Sequence, residues 1–217
     1  MKLQLKNKNA YFLKPDPQMA GLLLHGANPA RIQKKKNEFI NALVGLSAKE
    51  EMRLTIISTA DLRKDSSLLI DAMKAQGFFP GRRCILIENT SDRFTTLIQS
   101  ALMEWKHGDA HILLTATLLS PRSSLRKLFE NTNSVYIAPI FDDPPSQGEV
   151  IAEIKRCNLP DIEEDALEQL FYLGQSLSPD EFSQTLEKIS IYKLSDSYPL
   201  TYNDIKELAP YVIETGI

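Results

Sequence analysis

The loop Gly26-Ala27-Asn28-Pro29-Ala30-Arg31-Ile32 follows an apolar run, Gly21-Leu22-Leu23-Leu24-His25, and is where this sequence could hold a phosphate. A phosphate cradle there needs G-x-x-x-x-G-K-[ST], whose amides and lysine hold the phosphates and whose hydroxyl holds magnesium. Gly26 is present, but the second glycine, the lysine and the hydroxyl are missing, and Pro29 removes an amide. Lys34-Lys35-Lys36 stands too far along the chain to replace that lysine; it reads as a solvated helix face, with phosphate or DNA contact as the alternative. ATP binding and a cofactor are therefore not expected. His25, His107 and His111 fall into no H-E-x-x-H or related pattern, and Cys84 and Cys157 alone cannot make a four-ligand zinc site. No metal centre is expected, and two free thiols fit a reducing cytoplasm. Cys84, inside an apolar run, reads as a small buried residue. Asp142-Asp143 could be a paired carboxylate, but beside Pro144 it reads as a turn, and Glu163-Glu164-Asp165 suits the first turn of a helix. No G-x-S-x-G elbow is present. With no nucleophile, base and oxyanion site assembled, no intrinsic enzymatic activity is expected.

A different kind of chemistry stands in Lys74-Ala75-Gln76-Gly77-Phe78-Phe79-Pro80-Gly81-Arg82-Arg83. Gly77 is predicted to end a helix, and Pro80-Gly81 to form a turn. Adjacent side chains point in different directions, so a core cannot easily bury both rings. Either one ring packs inward while the other caps the sheet edge, or the pair anchors in a partner's apolar pocket.

The elements that carry these residues alternate. Short apolar runs predict strands at Gly21–Gly26, Arg53–Ser58, Arg83–Glu88, His111–Ala116 and Ser134–Ala138. Between them, helical spacing predicts a helix opened by Asn28-Pro29 (Ile32, Phe39, Ile40, Leu43, Val44), one over Asp61–Ala75 (Leu62, Leu68, Leu69, Ala72, Met73), one through Phe94–Trp105, and one opened by Ser120-Pro121. Continuous apolar strands between amphipathic helices indicate an α/β domain, a parallel sheet with helices on both faces. From Asp143 onward only helices are predicted, at about Gln147–Cys157, Glu163–Ser176, Pro179–Leu194 and Tyr202–Leu208. Hydrophobic residues at 43% and charged residues at 24% are globular values and exclude low-complexity disorder. No run approaches the roughly 20 apolar residues of a membrane span, and Met1-Lys2-Leu3-Gln4-Leu5-Lys6 lacks a signal-peptide pattern.

Net charge is −3, but it is unevenly placed. Residues 1–141 hold 20 Lys/Arg and 12 Asp/Glu, net +8, whereas residues 142–217 hold 5 and 16, net −11. Phe141-Asp142-Asp143-Pro144-Pro145-Ser146-Gln147-Gly148 reads as a connector at that point. Two domains are expected, a basic one over 1–142 and an acidic one over 143–217.

Four segments, in order, resemble the delta subunit family of the bacterial DNA polymerase III clamp loader. They are Leu22-Leu23-Leu24-His25-Gly26-Ala27-Asn28; Gly77-Phe78-Phe79-Pro80-Gly81-Arg82-Arg83-Cys84-Ile85-Leu86-Ile87; Ser120-Pro121-Arg122-Ser123-Ser124-Leu125-Arg126-Lys127-Leu128-Phe129-Glu130; and Phe182-Ser183-Gln184-Thr185-Leu186-Glu187-Lys188-Ile189-Ser190-Ile191-Tyr192. Gln184 replaces the acid usual in that family's last motif. The resemblance implies an AAA+-like domain without a P-loop and a small helical lid domain, with the C-terminal collar domain that family members carry expected to be absent from this chain. It implies a non-catalytic subunit of a cytoplasmic, DNA-directed DNA polymerase (nucleotidyltransferase) holoenzyme that opens the sliding clamp during DNA replication. Implied partners are the clamp (beta subunit), the gamma/tau and delta prime subunits and, through the assembled loader, primer-template DNA; no membrane is implied. In that family a hydrophobic pair at a helix end enters the clamp. The matching positions are Phe78 and Phe79, where the family more often has Leu-Phe. Gln76 leads in, and Leu69, Met73 and Lys74 on the neighbouring helix face are expected to touch the clamp as well. Two other classes stay open: a nucleotide-dependent AAA+-like ATPase with a degenerate motif, and a DNA-binding module suggested by the +8 region.

Overall fold

A computed structural model describes residues 11–141, 145–159, 161–194, 196 and 198–210. The chain separates into two compact units, Met1–Asp142 and Asp143–Ile217. The connector residues Asp142, Asp143 and Pro144 lie outside the described residues, and so does the paired-carboxylate reading of them.

In the first unit the apolar runs form strands β1 (Gly21–Gly26), β2 (Leu54–Ile57), β3 (Cys84–Ile87), β4 (His111–Thr117) and β5 (Val135–Ile140). They lie in the order β2-β3-β4-β1-β5, every pair parallel. Alternate residues face opposite sides, as the two-residue period of a strand requires. Leu23, Ile85, Ile87, Ile112 and Leu114 join one core with Leu69, Met73, Ile98, Leu125 and Phe129. Leu22, Leu24, Cys84, Leu86 and Leu113 join the other with Ile32, Phe39, Ile40 and Leu43. Burial on both faces explains why these strands read as unbroken apolar runs. Pro139 is tolerated in β5 because β5 is an edge strand.

The covering helices are α1 (Pro29–Val44), α2 (Thr59–Lys64), α3 (Ser67–Lys74), α4 (Thr95–Glu104) and α5 (Ser124–Asn131). The single helix predicted over Asp61–Ala75 is in fact two. Asp65 is extended, and its carboxylate accepts from both the N–H and the hydroxyl of Ser67, so a capping interaction replaces one helical turn. Those bonds hold the exposed Asp65 carboxyl below its ordinary pKa.

The second unit is helical: α6 (Gln147–Arg156), α7 (Glu164–Ser176), α8 (Pro179–Tyr192) and α9 (Tyr202–Leu208). Ser146, Ser178 and Thr201 each form a capping box with the acid three residues on, which fixes where α6, α8 and α9 begin. Val150, Ile154, Leu170, Leu173, Phe182, Leu186, Ile189 and Ile205 form its core. Lys193, almost wholly buried, is held by Asp196, by Asp204 and by the carbonyl of Pro199, bracing the α8–α9 connection. Among the described residues no helix is long and apolar enough to cross a membrane.

Candidate partner-binding site

Two places on the first unit carry the residues singled out by sequence, and they stand at opposite ends of the sheet. Ligands of open α/β sheets bind beyond the C-terminal ends of the strands, where β1 leads into α1. Here that end is closed by the chain itself. A Cβ on Gly26 would lie 2.2 Å from the carbonyl oxygen of Ile140, so this glycine answers to the close approach of β5 rather than to a phosphate. Asn28 Oδ1 accepts from the N–H groups of Ala30 (3.0 Å) and Arg31 (3.3 Å), the amides an anion would use. Arg31 donates to the carbonyl of Phe141 at 3.1 Å. Lys36 is not on a solvated face as its sequence run suggested. It is 5% exposed, and its Nζ donates at 2.6 Å to both Glu88 and Gln33. Lys35 is partly covered as well, paired with Glu38 and lying over the ring of Phe12.

The segment before β4 and the one after it are equally occupied. Asp92 accepts from Ser123 Oγ at 2.5 Å and Leu125 N–H at 3.0 Å, and these bonds hold its carboxyl below the usual range. The Ser123-Ser124-Leu125-Arg126-Lys127 stretch thus starts α5 and ties it to the turn after β3. The histidines do not meet. His25 lies at the C-terminal end of β1, His111 opens β4 at the other end of the sheet, and His107 is exposed before it. No group of three potential metal ligands occurs among the described residues. His111 is buried against Phe39, its Nδ1 donating to the carbonyl of Met19 at 3.0 Å, and burial pushes its pKa down to about 4. Cys84 is buried in β3, which pushes its thiol up to about 12, an unreactive group.

At the N-terminal end of β3 the arrangement is the reverse. Helix α3 stops at Lys74, three residues before Gly77; Ala75 turns extended with its N–H on the carbonyl of Asp71. Gly77 is therefore not the helix cap expected of it. The chain then projects through Gln76 to Gly81 and returns at Arg83. Phe78 is 91% exposed and Phe79 41%, their ring centroids 5.3 Å apart and the rings at 77° to each other. Gln76 is exposed beside them. The two rings leave an apolar patch facing water at the end of the projecting segment.

The stems of this tip are braced from below. The Arg83 guanidinium donates to the carbonyls of Ala72, Met73 and Gly108, each at 3.4 Å, capping the negative end of α3 and fastening the turn before β4. Lys74 Nζ donates to the carbonyl of Glu104 at 2.7 Å and to Asp109 Oδ2 at 2.6 Å. Burial pushes the Asp109 carboxyl up, but hydrogen bonds from Lys74 and the Lys106 N–H, with the Lys74 and Arg83 charges, outweigh it and hold the group low. On the other stem Arg53, paired with Glu51, donates to the carbonyl of Arg82 at 3.3 Å and lies beneath Gly81, whose φ of +121° only glycine adopts readily.

Leu69 and Met73 are both 0% exposed, packed in the core under the sheet, so their side chains do not belong to the contact surface proposed for them from sequence. Lys74 is at the surface but engaged with Asp109. Arg53, Arg83, Gly108 and Asp109 were not singled out as site residues. The Gly-Arg-Arg string was visible, but the carbonyls that Arg83 holds come from parts of the chain distant in sequence.

No family model matches the sequence, and no match was found among curated proteins. Solved structures are similar in fold. A DNA clamp loader delta protein of Bacillus subtilis superposes with a TM-score of 0.59 at 17% identity, covering 94% of this chain and 60% of that one. A point variant of Thermotoga maritima RuvB superposes with a TM-score of 0.51 at 14% identity, covering 94% of this chain and 65% of that one. The chain thus spans 60% of the length of the first and 65% of the second. At these identities the likeness is one of fold: an AAA+-like parallel sheet flanked by helices, followed by a helical unit.

Proposed function

We propose that this chain is a sliding-clamp-binding subunit of a replicative clamp loader, one that opens the ring without hydrolysing ATP itself. The observation that carries the reading is the braced tip with Phe78 91% exposed and Phe79 beside it. Two rings held out on fixed stems suit insertion into an apolar pocket, because the ordering cost of the loop is met before binding. The loop after β1 supports the non-catalytic half of the reading. Its helix amides are capped by Asn28, it has no lysine in cradle position, and Lys36 is bound to Glu88. The likeness in fold to a clamp loader delta protein supports the class of assembly. In this reading Phe78, Phe79 and Gln76 meet the clamp and the 1–142 and 143–217 domains sit within a loader of gamma/tau and delta prime type. Primer-template DNA is reached through that assembly.

The test is capture of the cognate sliding clamp by the chain and by a variant carrying Phe78→Ala and Phe79→Ala. Losing both rings from an interface centre is expected to cost about 3–5 kcal/mol, on the order of a hundredfold or more in affinity. Undiminished capture by the double variant would remove the pair from the functional account. A calorimetric titration with magnesium-ATP should be flat; stoichiometric heat would favour the ATPase reading instead.

A further inference from the structure

We infer that the pocket receiving Phe78 and Phe79 is bordered by carboxylates on the partner, which the cations around the aromatic tip meet during approach; this rests on the clamp-binding reading above. Residues 74–83 contain Lys74, Arg82 and Arg83 and no acid, and the turn 104–109 adds Lys106, His107, Glu104 and Asp109. The two segments are neighbours. The Arg83 Cδ lies 3.1 Å from where a Cβ on Gly77 would be, while its guanidinium reaches the carbonyl of Gly108. Lys74 and Asp109 neutralise each other. The hydrogen bonds of Arg83 go to carbonyls, and no carboxylate lies within ion-pair distance of it among the described residues. Arg82 and Lys106 are exposed, and neither is in an ion pair with another described residue. The tip therefore presents its rings within a field of positive sign, four Lys/Arg against two carboxylates.

Exposed charge pairs add little to affinity at equilibrium. They act at longer range, steering encounter and raising the association rate at low salt. Rings and cations then divide the work: the rings set how long the complex lasts, and the cations set how fast it forms. A nucleic acid strand would also offer anions, with bases to stack. Rings at 77° do not offer parallel faces to two successive bases, which favours a protein pocket.

The experiment measures binding kinetics of the full chain on immobilised cognate clamp at about 50, 150 and 500 mM NaCl, the range over which the Debye length falls below that of physiological salt. The variant R82E/K106E changes two exposed side chains. Its association rate at the lowest salt is expected to fall about tenfold or more, with the difference vanishing at the highest salt and dissociation changed by less than about twofold. F78A/F79A is expected to do the opposite, speeding dissociation on the order of a hundredfold. Equal association rates for the parent and R82E/K106E at every salt would overturn the inference while leaving the clamp reading intact. No clamp binding by the parent would overturn the clamp reading, and the inference with it. Binding of a single-stranded oligonucleotide of about 20 nucleotides that needs both the rings and the two cations would overturn it in favour of a nucleic acid site. Melting curves monitor folding; if R82E/K106E melts below the parent, R82Q/K106Q makes the same comparison at roughly half the rate effect.

Discussion

At the C-terminal end of β1, Asn28 takes the amides of α1 and Lys36 is bound to Glu88, while Gly26 presses against the backbone of β5. At the N-terminal end of β3, Arg83 and Arg53 hold backbone carbonyls from beneath and two phenyl rings stand in water. Both ends are rich in hydrogen bonds, but the bonds have opposite consequences. In the first they consume the donors a phosphate would use, and the loop is left as a joint in the scaffold. In the second they fix the two stems, and the rings beyond them are left exposed. The same parallel sheet thus carries a closed loop at one end and a projecting apolar tip at the other, with no change in strand order.

The contrast can be broken experimentally, beginning with the scaffold. Gly26→Ala puts a Cβ 2.2 Å from the Ile140 oxygen and should destabilise by about 3 kcal/mol or more, read from the denaturant midpoint. A near-neutral result would mean the loop yields and is not closed as argued. Leu69→Ala and Met73→Ala, each removing a fully buried side chain, should cost about 2–5 kcal/mol in stability. If either instead leaves stability unchanged and weakens clamp binding, the contact surface extends onto α3 after all.

Acid should act through His111. Its folded pKa, about 4, lies below the ordinary 6.5, so the unfolded chain takes up the proton first as pH falls. Stability is full above about 6.5 and is lost progressively toward pH 4, by about 3 kcal/mol. His111→Gln should flatten that part of the profile, which urea titrations at pH 7 and pH 4.5 would reveal. Asn28→Ala removes a helix cap and should cost about 1 kcal/mol, still without magnesium-ATP binding. Smallest of all, Phe78→Ala should shift stability by no more than about 0.5 kcal/mol, since a ring so exposed contributes little to the fold.

Much of the scaffold was legible because its signals are local. Five apolar runs became five parallel strands, and Asn28-Pro29 opened α1 as its cap chemistry implies. The break between α2 and α3 was hidden because Leu62, Leu68, Leu69, Ala72 and Met73 keep one period across it; only Asp65-Ser66-Ser67, three cap-type residues in a row, signalled it. That same periodicity had placed Leu69 and Met73 on a buried face, so treating them as contact residues conflicted with the pattern that found the helix. Lys36 was misread because its partner, Glu88, is 52 residues away, and an ion pair of that kind leaves no periodic trace. The aromatic tip was located by its strangeness, two rings where neither neighbour element could cover both. Its brace was not, since Arg83 reaches the Gly108 carbonyl 25 residues on.

The tip joins directly to β3, which is hydrogen-bonded to β2 on one side and β4 on the other. A pull on Phe78 therefore runs down the axis of an interior strand. To extract it, the ladders on both flanks would have to slide at once, a shear load shared by many bonds, instead of peeling open one bond at a time. The rings are mounted on a strand held from both sides, so work done on them is shared between two ladders before it reaches the body of the protein.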